Sequence, residues 1–245
     1  MRLELLNQLG QAHQSIREFE KAKFYFQQAI ELSCELDDKR SESNSLYKLG
    51  IIYFYQREFK QARLLFEKSL NLRTQTEDRR SSAVNYHMLG IVAEELREYE
   101  EARQNYQQAL EIKIEFGDRY SQASTYHQLG IVAEELREYT EAQQNYQQAL
   151  AIKIEYGDRY AQASTYNQLG LLAKAQGNLT EAGQNLLQAL EIFTQFQDKH
   201  NGVIALRNLF RIYQTTQDPS LLESISQVLG LSPDELLNIF SEFQN

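Results

Sequence analysis

Apolar residues recur along this chain at the three-and-four spacing of helix faces, and the whole pattern returns every forty residues. In the clearest copy Tyr126, Leu129, Val132, Ala133 and Leu136 fall on one face of a helix. After four polar or aromatic residues, Arg137-Glu138-Tyr139-Thr140, a second face follows with Ala142, Tyr146, Ala149, Leu150 and Ile152. A connection this short forces the two helices antiparallel, so each period predicts a helical hairpin. Thr140 with Gln143 reads as a capping box that opens the second helix. Gly157-Asp158 reads as the joint to the next hairpin, with glycine in the left-handed turn and aspartate accepting from the next helix's free amides. One such hairpin cannot cover its own apolar face, and stacking on neighbours supplies the cover.

The register does not slip. Leu-Gly recurs at Leu9-Gly10, Leu49-Gly50, Leu89-Gly90, Leu129-Gly130 and Leu169-Gly170, with a small residue at Ala22, Ala62, Ala102, Ala142 and Ala182. A period in this range signals a stacked array. Gly130 and Ala142 are expected to let two backbones approach closely, with the rings of Tyr139 and Tyr146 filling the remaining space. The repeats run 1–40, 41–80, 81–120, 121–160 and 161–200. From Tyr86 and Tyr126 the third and fourth differ at six positions: Met88/Gln128, Glu100/Thr140, Arg103/Gln143, Glu111/Ala151, Phe116/Tyr156 and Ser121/Ala161. Then the pattern decays. Phe210 stands where each earlier unit has glycine, so the stack should end there and 201–245 should form capping helices. Val203 to Tyr213 reads as a last first-type helix, Pro219 opens another through about Leu229, and Ser232-Pro233 starts a final one. Its face Leu236, Leu237, Ile239, Phe240 and Phe243 should cover the open side of the fifth repeat.

These residues resemble a known family. The pattern carried by Leu129-Gly130, Tyr139, Ala142, Tyr146 and Ala149-Leu150 is similar to the tetratricopeptide repeat (TPR). Two departures, a period of forty residues and no proline after the second helix, place it more finely, and the junction running from Gly157-Asp158-Arg159 to Leu169-Gly170 is similar to the long-repeat class of kinesin light chain and of Pins- and Rapsyn-type scaffolds. The resemblance covers Leu3 to about Tyr213. It implies an all-α, right-handed α-α superhelical solenoid of about five TPR hairpins with a C-terminal helical cap. It also implies a concave groove, lined mainly by first helices, that binds peptides without catalysis.

Transferring the family's groove positions gives a row directly after each glycine, Gln11, Ile51, Ile91, Ile131 and Leu171. Three residues before the glycine come Asn7, Tyr47, His87, His127 and Asn167, and four residues after it Gln14, Phe54, Glu94, Glu134 and Lys174. The proposed peptide-binding set is Tyr47, Ile51, Phe54, His87, Ile91, Glu94, His127, Ile131, Glu134, Asn167, Leu171 and Lys174. The apolar row departs from the polar residue many family members carry there. It is open to two readings: anchors for apolar ligand side chains, or core between neighbouring first helices.

Composition narrows the partner. The formal charge is −9, with no cluster of Lys and Arg, which argues against nucleic acid and anionic membrane and suits a basic or apolar protein or peptide partner. Only Pro219 and Pro233 interrupt helix, and both lie after the repeats. Cys34 is the single cysteine, which fits a reducing compartment, and no apolar run reaches the roughly twenty residues of a membrane span. The expected location is the cytoplasm. His87 and His127 sit too far apart for a shared metal, because packed helices lie about 8–10 Å apart and zinc ligands within about 2.1 Å of the ion. Glu94-Glu95 and Glu134-Glu135 point about 100° apart and read as a solvated acidic rim rather than an acid–base pair. His13 and His200 are expected to face solvent. No nucleophile elbow or phosphate loop is present, so no cofactor, metal or catalytic residue is assigned. Two functions follow: a scaffold gripping a peptide or helix, or a sensing or oligomerisation arm of a larger bacterial signalling protein. The exposed-looking leucines near Met1 favour the second.

Overall fold

The repeating pattern becomes a run of α-helices joined by turns, seen in a computed structural model that describes residues 1–242. Among the described residues the elements are α1 (Arg2–Ser15), α2 (Phe19–Glu35), α3 (Lys39–Tyr55), α4 (Phe59–Gln75), α5 (Arg79–Glu95) and α6 (Tyr99–Glu115). Then come α7 (Arg119–Glu135), α8 (Tyr139–Glu155), α9 (Arg159–Ala175), α10 (Leu179–Gln195) and α11 (Lys199–Thr216), followed by α12 (Pro219–Leu229) and α13 (Pro233–Glu242). No strand occurs among the described residues. The chain divides into two compact units, Met1–Ser121 and Gln122–Asn245.

Each odd-numbered helix from α3 to α11 starts on an aspartate. Asp38, Asp78, Asp118, Asp158 and Asp198 accept from the backbone amides of Ser41, Ser81, Ser121, Ala161 and Asn201 at 3.0–3.3 Å. That satisfies one of the four amides a helix start leaves unpaired and places a negative charge at the positive end of the helix dipole. The capping box expected from Thr140 and Gln143 is absent. The residue before α8 is Glu138, whose side chain makes no cap bond. Thr140 lies inside the first turn, where its backbone is already helical. The turns close instead from the other side, by left-handed residues. Gly157 has φ 66° as expected, yet Arg137, Arg97 and Glu77 adopt the same region without glycine's freedom. The Arg137 amide donates to Glu134 O and the Glu138 amide to Ala133 O, so two carbonyls at the end of α7 are satisfied by the turn.

Burial explains the forty-residue period. In Met1–Ser121, Ala22 and Phe26 of α2 pack with Leu49 and Ile52 of α3, and Ala62 and Phe66 of α4 with Leu89 and Val92 of α5. In Gln122–Asn245, Ala142 and Tyr146 of α8 pack with Leu169 and Leu172 of α9. Each core therefore belongs to one hairpin's second helix and the next hairpin's first, and neither hairpin owns it. Gly130 is explained differently from expectation. A Cβ there would stand 2.5 Å from the Tyr146 ring, so the glycine makes room for the ring.

Within Gln122–Asn245, α10 to α13 together with α9 form a large apolar core, which includes Leu190, Phe193, Leu209, Ile225, Leu236 and Phe240. At the position where the earlier repeats have glycine, the Phe210 ring lies against that of Phe240, centroids 4.5 Å apart and planes tilted by 34°. Asp218 and Pro219 open α12 and Gly230 closes it. Ser232 and Glu235 form a reciprocal capping box on α13, the Ser232 amide donating to Glu235 Oε2 and the Glu235 amide to Ser232 Oγ. Leu236 and Phe240 are buried, Leu237 is exposed, and Phe243 lies outside the described residues.

Candidate binding surface on the first helices

The set drawn from the sequence occupies α3, α5, α7 and α9, and all twelve residues are half-buried. In Met1–Ser121 the Tyr47 ring lies 5.5 Å from Phe66 and under the Arg73 guanidinium at 5.3 Å. Ile51 and Phe54 pack against the core of Ala62, Phe66, Leu89 and Val92. Ile51 is half-buried there, against residues of both the second helix α4 and the next first helix α5. The His87 ring lies 5.4 Å from Tyr106, and burial beside Lys113 pushes its pKa down to about 3, so it is neutral. The Tyr106 hydroxyl donates to Glu94 Oε2 at 2.9 Å. Ile91 stands between these groups on α5. An open depression of about 500 Å³ near the start of this unit is lined by Gln11, Gln14, Ser15, Arg17, Phe19 and Tyr55, none of them in the predicted set.

In Gln122–Asn245 the same chemistry recurs on α7 and α8. The His127 ring lies 5.5 Å from Tyr146, whose hydroxyl donates to Glu134 Oε2 at 3.0 Å. Burial raises the Glu134 carboxyl and lowers His127 to about 3. Glu94 and Glu134 are therefore not a solvated rim, because each faces its own buried tyrosine; Glu95 and Glu135, one place on, are the exposed members. His13 also departs from expectation: Glu18 lies 2.6 Å from its Nδ1 and Tyr25 stacks on its ring at 5.3 Å. Ile131 packs against Ala133, Ala142, Tyr146, Leu169 and Leu172.

Behind this face sits a cation in each of three helices. Arg73 is 4% exposed, Lys113 and Lys153 each 7%. Arg73 donates to Ser81 O and to Asn85 and Asn44 Oδ1, Lys113 Nζ to Ser121 O at 3.1 Å, and Lys153 Nζ to Thr165 Oγ1 at 2.6 Å. All of these acceptors are neutral. Burial brings both lysines down to about 8, partly offset by Asp118 and Asp158. The pattern search missed these three residues because a lone Lys or Arg on a polar-rich helix looks like a solvated one. The signal was their shared register, at forty-residue steps.

One depression, about 260 Å³, opens on this face. His127 of α7 lies on one side, Tyr160, Ser164, Asn167 and Gln168 of α9 form the floor, and Phe193, Asn201 and Ile204 close the far side. It unites His127 and Asn167 from the predicted set and adds residues the set lacked. Tyr160, Ser164, Asn167, Gln168 and Leu171 follow the three-and-four spacing of one α9 face, which could have found them. Asn167 Oδ1 is buried without a hydrogen-bond partner. Leu171 and Lys174 continue the face, and burial and then Arg211 lower the Lys174 ammonium.

Comparison with known proteins agrees with this construction. No curated protein matches the chain. Among solved structures, the apo form of RapI superposes with a TM-score of 0.79 at 18% identity, covering 94% of this chain and 82% of that one. A putative kinesin light chain of Podospora anserina with nearly identical TPR-like repeats gives 0.67 at 18%, over 81% and 97%. A signal transduction ATPase with numerous domains from Pyrococcus horikoshii, which carries a tetratricopeptide repeat sensor, gives 0.70 at 16%, over 98% of this chain and 35% of that one. At these identities the likeness is one of fold. Tetratricopeptide repeat profiles match residues 1–75, 41–115 and 81–155, and a further one 162–195. With most of its length covered in register, the chain belongs to the tetratricopeptide repeat family.

Proposed function

We propose that the chain is a non-catalytic protein–protein interaction scaffold that holds a peptide or helical segment of a partner against its first-helix face. Tyr47, Ile51, Phe54, His87, Ile91 and Glu94 would serve in the first unit, and His127, Ile131, Glu134, Asn167, Leu171 and Lys174 in the second. The observation that carries this reading is the α7–α9–α11 depression, which sets the polar side chains of His127, Ser164, Asn167 and Gln168 beside Tyr160, Phe193 and Ile204. Within the set the roles differ. His127 and Asn167 can reach a ligand, whereas Glu94 and Glu134 chiefly hold the rings of Tyr106 and Tyr146.

The test compares wild type with Asn167→Arg plus Ile204→Glu in a pull-down from the native cell extract, with equal melting temperatures required. Loss of bound protein supports the reading, and retention of every bound protein removes this face from it. A second reading, the sensing arm of a larger signalling protein, is supported by the likeness to the repeat-bearing ATPase, of which this chain matches a minority. A coding frame that continues into a nucleotide-binding domain would favour it.

A further inference from the structure

Helix α1 carries a face that differs from its equivalents at the later joints. In Met1–Ser121 the first helices α3 and α5 pack Leu49, Ile52, Leu89 and Val92 onto the preceding second helix, and α9 does the same with Leu169 and Leu172 in Gln122–Asn245. Those six residues are at most 6% exposed. The matching places on α1, forty residues before the α3 pair, are Leu9 and Ala12; Leu9 is half-buried and Ala12 exposed. Leu5 and Ile16 extend the strip, 53% and 65% exposed. The four follow the three-and-four spacing of one helix face, while Leu6 and Gly10 on the adjoining side are buried.

The strip also differs in kind. Leu5 stands where α3, α5 and α9 have Ser45, Asn85 and Thr165, buried residues that hydrogen-bond. Asn85 and Thr165 accept from Arg73 and Lys153 of the preceding second helix. A helix of that kind laid on α1 would press its cation against Leu5, and a buried charge without a partner is costly. Where Ala205 takes this place on α11, the shared core holds Phe193 in the register of Lys153. Leu5 thus calls for an apolar residue opposite it. Ala12, in turn, is small where α3, α5 and α9 have Ile52, Val92 and Leu172, so the strip is bulky at Leu5, Leu9 and Ile16 and thin at one place between them.

We propose that α1 pairs with α1 of a second copy of this chain, antiparallel about a two-fold axis that passes between Leu9 and Ala12. The strip is its own complement. A two-fold that sets Leu9 opposite Ala12 of the second copy also sets Leu5 opposite Ile16, because both pairs share a midpoint between Gly10 and Gln11. Large then meets small at the centre, and each exposed apolar end gains an apolar partner, as an interface made from one patch twice requires. Charge favours the same arrangement. The strip from Leu5 to Ile16 carries no ionised side chain, and Gln8 and Ser15 border one edge of it. Antiparallel pairing keeps the two Arg2 side chains apart and sets each positive helix start beside the other copy's negative helix end, whereas parallel pairing would bring the like ends together. Fourteen residues make a helix roughly 21 Å long, and one such pair buries less than the about 1,200 Å² of a standard interface, so the dimer is weak and reversible. None of the twelve proposed binding residues lies on α1, and the pairing stands apart from the scaffold reading.

Sedimentation of the whole chain from about 5 to 500 µM should show the weight-average mass climbing toward that of two chains. Leu5→Glu with Ile16→Glu, both at exposed positions, should weaken association at least about tenfold while the circular dichroism stays unchanged. The geometry is read by cross-linking in a Cys34→Ser background, which removes the chain's single cysteine. Leu5→Cys together with Ile16→Cys should give a disulfide-linked dimer on mild oxidation, and Leu5→Cys alone should not. Should the glutamate variant lose helicity, the cysteine variants decide alone. A chain that stays monomeric at every concentration overturns the proposal and leaves the strip to a helix of a different protein or of a longer product. Association that survives Leu5→Glu with Ile16→Glu lies elsewhere on the molecule and overturns it too. Ready linking by Leu5→Cys alone selects a parallel pair and overturns the two-fold described.

Discussion

The hairpins α7–α8 and α9–α10 share a backbone plan and run on different interiors. In the first, Gly130 makes room for Tyr146, the tyrosine hydroxyl binds Glu134, and Lys153 sits buried below His127. In the second, the same four places hold Leu186, Lys174, Phe193 and Asn167. Leu186 has no hydroxyl to offer, so position 174 has no need of a carboxylate, and Phe193 fills with apolar volume what Lys153 fills with a charged stem. In the first hairpin these positions are linked: Tyr146 meets Glu134 and His127, and Thr165 joins His127 to Lys153. A polar interior is viable only when fully paired, and an apolar one needs only volume.

The comparison can be broken at its centre. Tyr146→Ala leaves a ring-sized void and an idle Glu134, and should cost about 4 kcal/mol by denaturant unfolding. Gly130→Ala should follow at about 2–3 kcal/mol, since its Cβ would meet a ring fixed on both sides. Gly170→Ala should cost less, because Leu186 can turn aside and only the Ala182 carbonyl, 3.2 Å away, stays put. Equal losses at the two glycines would show that the ring is not what demands Gly130.

Titration sharpens the contrast further. Lys153 has its folded pKa depressed to about 8 from 10.5. Between those values the unfolded chain keeps a proton the folded chain has released, so stability rises with pH across that window. Lys153→Met should flatten that rise by about 2–3 kcal/mol, measured as the difference between the two proteins from pH 7 to 10.5. His127, depressed from 6.5 to about 3, acts in the acid range by the same sign: stability falls as pH drops below about 6.5. His127→Asn, which copies Asn167, should recover about 1–2 kcal/mol of that loss by pH 5. The smallest effect is expected of Tyr146→Phe, about 1 kcal/mol for one hydrogen bond, and none of these pH effects should appear on α10.

Much of the fold could be read in advance. Aspartate before each first helix from α3 to α11, Pro219 and Ser232-Pro233 are local signals, satisfied within a few residues, and they appear where local chemistry puts them. Thr140 misled because a capping motif shows only that a helix can start there, while the turn at left-handed Arg137 lets α8 start two residues sooner than the motif requires. The candidate site was harder. His127 and Asn167 were on a face that periodicity reveals, but the predicted acidic rim proved to be one exposed and one half-buried carboxylate, since Tyr146 comes from another helix.

What the chain of residues determined alone was periodicity: hairpins, their register, their small and large positions and the place where the pattern stops. Those properties depend on neighbours three, four or forty places away, which a single string displays. Only the tertiary structure decided which polar groups are paired and which charges are shielded. Lys153, Thr165 and His127 meet through three helices, and Asn167 opens onto Ile204 of a fourth. Exposure and charge belong to what surrounds a side chain, and packing supplies those surroundings.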